Sequence, residues 1–248
     1  MGVDLTDKVV VITGATRGLG REMAFAMARC GADIAVVSRK LDACETTAAE
    51  ITAETGRRAL PFACNVSTWD AIEPTVESIF AAFGRVDVLV NNAGMSPLYP
   101  SLHEVSEALF DKVIGVNFKG PFRLSALVAH RMVADGGGSI INISSDAAKT
   151  TNATIVPYGA AKAALNNMTM GFALSYGPTV RVNCVMSGPI RTDIAAGWDM
   201  EHVDKAVQAH ALRRIGEPHE IIGAVLYFAG DASTFTSGAV LAVTGGIP

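Results

Sequence analysis

The chain has no clustered cysteines, no basic excess and no long apolar run, and each absence removes a class of protein. Cys30, Cys44, Cys64 and Cys184 are scattered with no C-x-x-C pair. They read as buried thiols of a reducing compartment, with neither a disulfide framework nor a zinc site. The histidines form no H-E-x-x-H and no close pair, so a metal site has no support. Only 18% of residues are charged and the formal net charge is −4. Nucleic acid or an anionic membrane would need a basic surface, so neither is an expected partner. The longest apolar run near the end, IIGAVLYFAG (221–230), is too short to span a bilayer. The opening, MGVDLTDKVV, is charged and runs straight into a strand pattern, unlike a signal peptide. It matches the myristoylation pattern M-G-x-x-x-[ST], but Asp4 and the lack of a basic cluster argue against that anchor. The expectation is a soluble cytoplasmic protein, in which the N-x-[ST] matches at Asn65, Asn142, Asn152 and Asn167 carry no meaning.

What is present is apolar material in a regular rhythm. Half of the 248 residues are hydrophobic, enough for a substantial core. Short Val- and Ile-rich runs at 8–13, 33–37, 58–63, 86–90, 139–144, 180–185 and 239–243 are apolar on both sides of their alternation. That is the pattern of strands buried on both faces of a parallel sheet. Segments with helical spacing lie between them, at 18–30, 41–55, 69–83, 105–134, 158–176 and 218–229. The alternation predicts an α/β fold, one doubly wound sheet with helices on both faces. No linker, charge block or repeat interrupts it, so residues 1–248 read as a single domain. The exception is 191–214, RTDIAAGWDMEHVDKAVQAHALRR, which has no strand signal late in the fold. It reads either as a surface helical hairpin or as a cover over a site.

Two short stretches suggest chemistry. VVVITGATRGLG (9–20) is a buried strand running into Gly14, Gly18 and Gly20 and then a helix. Glycines there let the backbone turn sharply and approach a pyrophosphate, whose charge the helix N-terminus stabilises. The plain structural reading is that they only close a β-α turn. The spacing G-x-x-x-G-x-G differs from G-x-G-x-x-G, and the absence of G-K-[ST] argues against a nucleotide triphosphatase. The second stretch, YGAAK (158–162), places a tyrosine and a lysine one helical turn apart. Alone, such a pair is equally two neighbours on a helix surface.

Together with other motifs in order, these stretches resemble the short-chain dehydrogenase/reductase family along essentially the whole chain. T-G-x-x-x-G-x-G runs from Thr13 to Gly20, and N-N-A-G follows DVLV as Asn91 to Gly94. Asn117 in GVNFKG matches the family's catalytic asparagine. Ser145 in INISS lies thirteen residues before Tyr158, the family's serine–tyrosine spacing, and Lys162 completes Y-x-x-x-K. The likeness is considerable to 3-oxoacyl-carrier-protein reductases and sugar-alcohol dehydrogenases. Against a carrier-protein substrate, VADGGGS (133–139) and ALSYGPTV (173–180) offer no basic docking face.

The resemblance implies a seven-stranded parallel sheet of Rossmann type, a nicotinamide cofactor and a small ketone or alcohol substrate. Tyr158 would be acid in reduction and base in oxidation, with the ammonium of Lys162 pulling its pKa down from the ordinary ~10. Lys162 would also hold the nicotinamide ribose, Ser145 would donate to the substrate oxygen, and Asn117 would order a water linking Lys162 to solvent. Cofactor contacts are implied at Gly14, Thr16, Arg17, Gly18, Leu19 and Gly20 in the turn, and at Ser38 and Arg39 after the second strand. Further contacts are implied at Asn65 and Val66, at Asn91, Ala93 and Gly94, at Tyr158 and Lys162, and at Gly188, Ile190 and Thr192.

The second strand ends in VVSRK (36–40), where NAD(H)-selective enzymes carry a carboxylate. Ser38 is uncharged, Arg39 follows it, and Arg17 lies in the turn bordering the same ribose, which predicts NADP(H) over NAD(H). The alternative is that Arg39 and Lys40 are a solvated strand end. Departures from the family pattern are Asn65 for an adenine-binding aspartate, Ser187 for a proline, Thr244 in VTGG for V-D-G-G, and Ala161 for a common serine. Asn65 is expected to accept the adenine amino hydrogen bond through its amide oxygen. A cofactor-binding sensor or scaffold without turnover would not need Asn117, Ser145, Tyr158 and Lys162 together. A methyltransferase-like protein would not predict N-N-A-G. Met95, Leu98, Tyr99, Met186, Ser187 and Trp198 are candidate walls of a mostly apolar pocket. Phe110, Val113, Phe118, Phe122, Leu127 and Phe172 exceed what one sheet face can cover. With the family's habit of packing these helices between subunits, they predict a homotetramer or homodimer.

Overall fold

Runs of β-branched and aliphatic residues become strands here because both of their faces find cover. The computed structural model describes residues 2–150, 153–192 and 200–247. Strands β1 (Val9–Thr13), β2 (Asp33–Ser38), β3 (Ala59–Ala63), β4 (Val88–Asn91), β5 (Gly138–Ser145), β6 (Val180–Ser187) and β7 (Val240–Val243) form one seven-stranded sheet in the order β3-β2-β1-β4-β5-β6-β7. Every pairing is parallel, with Val10 opposite both Ile34 and Val88.

Side chains alternate between two separate cores. Val10, Ile12, Ile34, Val36, Val88, Val90, Ile141 and Ile143 face one, while Val11, Ala35, Val37, Leu89 and Ile140 face the other. Helices α1 (Gly18–Arg29) and α2 (Leu41–Thr55) close the first core, with α8 (Ile222–Ala229). The second lies under α3 (Trp69–Phe83), α5 (Gly120–Ala134) and α6 (Val156–Tyr176). Each fully buried aliphatic side chain contributes roughly 1.5–3 kcal/mol by leaving water, which is why these faces fix the register.

The predicted helix over 105–134 divides in two. Ser106 caps α4 (Glu107–Ile114) by accepting from Leu109 N at 3.2 Å. A π-helical turn, Gly115–Lys119, then joins it to α5. Asn117 produces that widening: its Nδ2 donates to the Val113 carbonyl at 2.9 Å, the acceptor its own main-chain N–H would use in an α-helix. In the 191–214 segment, α7 (Met200–Val207) is the described helix, and residues 193–199, including Trp198, lie outside the described residues. Among the described residues no helix is long and apolar enough to cross a membrane. The chain order reverses between β1 and β4, so the cleft above their carboxyl ends is where a ligand is expected.

Candidate active site

The glycine turn sits at that reversal. Gly14 adopts φ +67° and Gly18 φ +52°, conformations that L side chains avoid. Gly14 N donates to Val37 O at 2.8 Å, tying the turn to β2. A Cβ on Gly14 would lie 3.1 Å from Ala93 Cα, and one on Gly20 would lie 2.2 Å from Gly14 O. Across the turn, Asn92 Nδ2 donates to Thr13 O at 2.8 Å, and Thr13 Oγ1 accepts from Asn92 N and Ala93 N at 3.0 Å each. T-G-x-x-x-G-x-G and N-N-A-G are therefore two halves of one backbone cradle.

A cleft of about 420 Å³ opens over the start of α1, lined by Thr16, Arg17, Gly18, Arg191, Thr192 and Pro218 among others. Closely packed backbone, positive-φ glycines and a helix start suit a pyrophosphate, so the residues present fit a dinucleotide. Leu19 packs against the first core. Thr16 Oγ1 donates to Ser38 Oγ at 3.3 Å, and Arg17 and Arg39 each follow one of these two residues in the chain. Both arginines are exposed, and neither forms an ion pair among the described residues.

Other cofactor candidates divide by what their side chains already do. Asn91 is buried and donates to Ser125 Oγ and Asn142 Oδ1, both at 2.9 Å, so its side chain stitches the sheet to α5. Val66 is buried, and a Cβ on Gly120 would lie 2.2 Å from its carbonyl oxygen. Asn65 departs from expectation. Its Oδ1 accepts from Ser67 Oγ at 2.9 Å and Ser67 N at 3.3 Å, a closed local turn that occupies the oxygen expected to meet adenine. Gly188 lies against Thr244, where a Cβ would come within 2.7 Å of Cα. Ile190 bridges to Gly216, and Thr192 Cβ lies 3.7 Å from where a Gly18 Cβ would be, so this loop closes onto the glycine turn.

The four catalytic candidates converge from three elements. Ser145 ends β5, Tyr158 and Lys162 lie on α6, and Asn117 occupies the π-helical turn. Lys162 is buried, and its Nζ donates to Ile143 O at 2.8 Å and lies 5.7 Å from the Tyr158 ring centre. Asn117 Nδ2 also donates to Met95 O at 2.8 Å, and its Oδ1 accepts from Met95 N at 3.3 Å. Both ends of that amide are engaged, leaving only main-chain atoms of the widened turn for a water. A Cβ on Gly94 would lie 3.1 Å from Asn117 Oδ1 and 3.7 Å from Lys162 Nζ, so that glycine lets the N-N-A-G turn press on both.

Burial reverses the expected titration of the tyrosine. Part of the Tyr158 side chain is open to the cleft, but protein crowds its hydroxyl and pushes its pKa up to about 12. Hydrogen bonding with Ser145 opposes the rise and the Asp146 charge adds to it. Lys162 is brought down to about 8 by burial, and its Nζ binds a carbonyl rather than the phenol. The phenol is therefore protonated at neutral pH, the form needed in an acid.

A buried ammonium has a cost in stability that titrates. Below pH 8 Lys162 is charged in both folded and unfolded chains, and the penalty is present in full. Between about 8 and 10.5 the unfolded chain binds more protons, so this contribution to stability rises with pH. At about 1.4 kcal/mol per pH unit the penalty is of order 3 kcal/mol, partly offset by the Ile143 bond of roughly 1–2 kcal/mol. Lys162→Met should therefore be inactive yet at least as stable as wild type at pH 7, with the gap narrowing towards pH 9.5. Denaturant unfolding of both proteins at the two pH values checks this, and a gap that stays constant or widens contradicts it.

The wall candidates are unequal. Tyr99 OH donates to Ala153 O at 2.9 Å and accepts from Val156 N at 2.8 Å, which anchors the loop before α6. Met186 and Ser187 are buried, Leu98 is exposed, and the Ser187 hydroxyl donates to Gly188 O at 2.9 Å. A narrow hollow lined by Pro97, Tyr99, Leu109, Val113, Ile155 and Pro157 abuts Tyr158 and is apolar. Sequence reasoning passed over Asp146, which accepts from Ser145 Oγ at 2.8 Å, and His210, within electrostatic reach of it.

Comparison with known proteins identifies the family and the fold. The family model described as short chain dehydrogenase matches residues 8–202. The peroxisomal 2,4-dienoyl-CoA reductase of Danio rerio is 37% identical, covering 98% of this chain and 82% of its own. L-Rhamnose 1-dehydrogenase (NAD(P)(+)) of Azotobacter vinelandii is 35% identical, covering 98% of this chain and 97% of its own. The solved structure of the NADPH-dependent 3-quinuclidinone reductase of Rhodotorula rubra superposes with TM-score 0.92 at 28% identity, over 98% of this chain and 92% of that one.

Proposed function

The chain belongs to the short-chain dehydrogenase/reductase family, NAD(P)-dependent oxidoreductases of CH–OH groups, and from that premise we propose that it interconverts a ketone and a secondary alcohol with NADP(H) in preference to NAD(H). The observation that carries the reading is the meeting of Ser145, Tyr158 and Lys162 beside the glycine cradle. When bound, the nicotinamide supplies a hydride to the carbonyl carbon in reduction and accepts one from the carbinol carbon in oxidation. Tyr158 gives its proton to the carbonyl oxygen in reduction, so no free alkoxide accumulates. Lys162 keeps a positive charge near the phenolate then formed. Ser145, whose hydroxyl proton rests on Asp146 in the free protein, turns it towards the substrate oxygen. Asn117 pins the N-N-A-G turn against this group through Met95 and Val113.

Cofactor choice is supported by the Thr16–Ser38 contact, since Arg17 and Arg39 follow those two residues in the chain, both are exposed, and neither forms an ion pair among the described residues. A 2′-phosphate there gains charge-assisted bonds of about 1.5–3 kcal/mol each. Arg39→Ala should weaken NADPH binding roughly 10- to 100-fold and leave NADH nearly unchanged. Fluorescence titration of both cofactors tests this, and a wild-type preference for NADH refutes it.

The assembly is a homotetramer or homodimer. Of the apolar residues singled out on α4 to α6, Val113 and Phe172 are buried within the chain, but Phe110 and Phe122 are exposed. Met170 and Leu174 on α6 and Val240 and Leu241 on the edge strand β7 are exposed too. A monomeric mass in light scattering at micromolar concentration would overturn this assembly.

A further inference from the structure

Helix α1 begins without help from the protein's own side chains. Arg17, the residue before it, makes no side-chain capping bond, and the first turn holds no acidic residue. Such an end carries a partial positive charge of about half a unit. The turn leading into it is flanked on two sides. Thr16 Oγ1 reaches Ser38 at the end of β2, while Thr192 Cβ lies 3.7 Å from where a Gly18 Cβ would be. The pyrophosphate of a dinucleotide brings two full negative charges, more than a helix end balances. A cation from the Thr192 side would complete the balance.

Three arginines line the cleft over this helix, and they differ in what they are free to do. Arg21 is committed, since its Nη2 donates to Glu50 Oε2 at 2.9 Å and its guanidinium lies 4.5 Å from the centre of the Phe25 ring. Arg17 follows Thr16, the residue tied to Ser38, and is assigned above to the 2′-phosphate. Arg191 comes from another part of the chain and precedes Thr192. Its main chain is fixed: its N–H donates to Gly216 O at 2.9 Å, and Gly216 N donates to Pro189 O at 3.0 Å. Its side chain is 57% exposed and makes one long contact, from Nε to Glu217 Oε1 at 3.4 Å. Nearby Arg214 is spent by comparison, with both terminal nitrogens on Glu220 at 2.6 Å. In Arg191 the Nε edge faces a carboxylate, and the two Nη atoms, the fork that suits paired phosphate oxygens, donate to no described residue. We propose that Arg191 binds the cofactor's pyrophosphate opposite the start of α1, and so serves NADP(H) and NAD(H) alike. Arg39 selects between the two cofactors; Arg191 holds what they share.

This inference deepens the cofactor reading and rests on it, and its test is equilibrium binding. Wild type, Arg191→Ala and Arg191→Lys are titrated with NADPH, NADH and ADP-ribose, whose one common charged group is the pyrophosphate. Arg191→Ala should weaken all three by a similar factor, roughly 10- to 100-fold, the range for a charge-assisted bond. Arg191→Lys keeps the charge without the fork and should recover part of the loss. Thermal melts without cofactor should coincide with wild type, because the side chain is exposed and its one contact is long. Unchanged binding of NADH and ADP-ribose in both variants overturns the assignment. A loss confined to NADPH also overturns it, by moving Arg191 to the 2′-phosphate, and a loss that spares ADP-ribose overturns it by moving Arg191 to the nicotinamide end. Wild type that binds none of the three removes the cofactor reading itself, and this inference with it.

Discussion

Tyr158→Phe is expected to lower turnover at least ~10²-fold, the range for loss of a general acid or base. The substitution deletes one hydroxyl and keeps the ring that borders the apolar hollow of Pro97, Ile155 and Pro157. It also keeps the ring near Lys162 Nζ, so the lysine's bond to Ile143 O has no reason to change. Stability should shift by no more than about 1 kcal/mol, since only the interaction with Ser145 is lost. NADPH affinity should change little. The proton is lost from the one group in the cleft that pairs a hydroxyl beside Ser145 with a pKa, about 12, keeping it protonated at neutral pH. Ser145 cannot replace it, because its hydroxyl is a far weaker acid and its proton already rests on Asp146. Assaying both proteins on a panel of ketones and alcohols with NADPH and NADP+ gives the answer. Near-normal turnover in the variant would take the acid–base role away from Tyr158.

The strands were legible because burial on two faces writes itself into composition. Val9 to Ile12 and Ile34 to Val37 are apolar at successive positions, and the alternation of Val10 and Ile12 against Val11 between two cores shows why neither face tolerates a polar residue. Helix ends were less so. The start of α6 falls at Val156, before the expected 158, since Pro157 fits the first turn, where its missing N–H is not needed. The break at Gly115–Lys119 was invisible because apolar spacing runs on through Val113, Val116 and Phe118 while a side-chain amide takes over a main-chain acceptor. Periodicity reports which face is buried and says nothing about who satisfies a carbonyl.

Motif spacing located Asn117, Ser145, Tyr158 and Lys162, but not their electrostatics. A lysine one turn from a tyrosine suggests a lowered phenol pKa, but withdrawal of the Tyr158 hydroxyl from water is the largest influence on it and raises that pKa instead. The local turn at Asn65 was already contained in N-V-S, since an asparagine two residues before a serine readily closes its own turn. Asp146 and His210 have no spacing rule to reveal them. His210 comes within electrostatic reach of Asp146 where the segment after α7 folds back on Gly245 and Gly246, an approach that no local pattern encodes.

Gly20→Ala should abolish measurable cofactor binding, a loss of more than ~10²-fold, and lower stability by about 1–3 kcal/mol through overpacking. An added Cβ would stand 2.2 Å from Gly14 O, 2.5 Å from Asn92 Nδ2 and 2.8 Å from Gly14 C. A flexible side-chain tip could swing away from such a contact; Gly14 cannot. Its N–H is bound to Val37 O at 2.8 Å, and its backbone lies against Ala93, where even a Cβ of its own would come within 3.1 Å of Cα. The strain must therefore be relieved by moving α1 away from β1, and that motion carries the first-turn N–H groups off the cradle. Asn92 would lose its bond to Thr13 O in the same step, loosening N-N-A-G and the Gly94 contact with Asn117 and Lys162. Binding and folding effects separate in thermal melts. A ligand at 100 times its Kd adds about 2.7 kcal/mol to the folded state, so wild type should melt higher when NADPH is added. The variant should melt lower without cofactor and show no rise with it. A normal NADPH-induced rise in Gly20→Ala would mean that the turn from Gly14 to Gly20 is not where the cofactor is held.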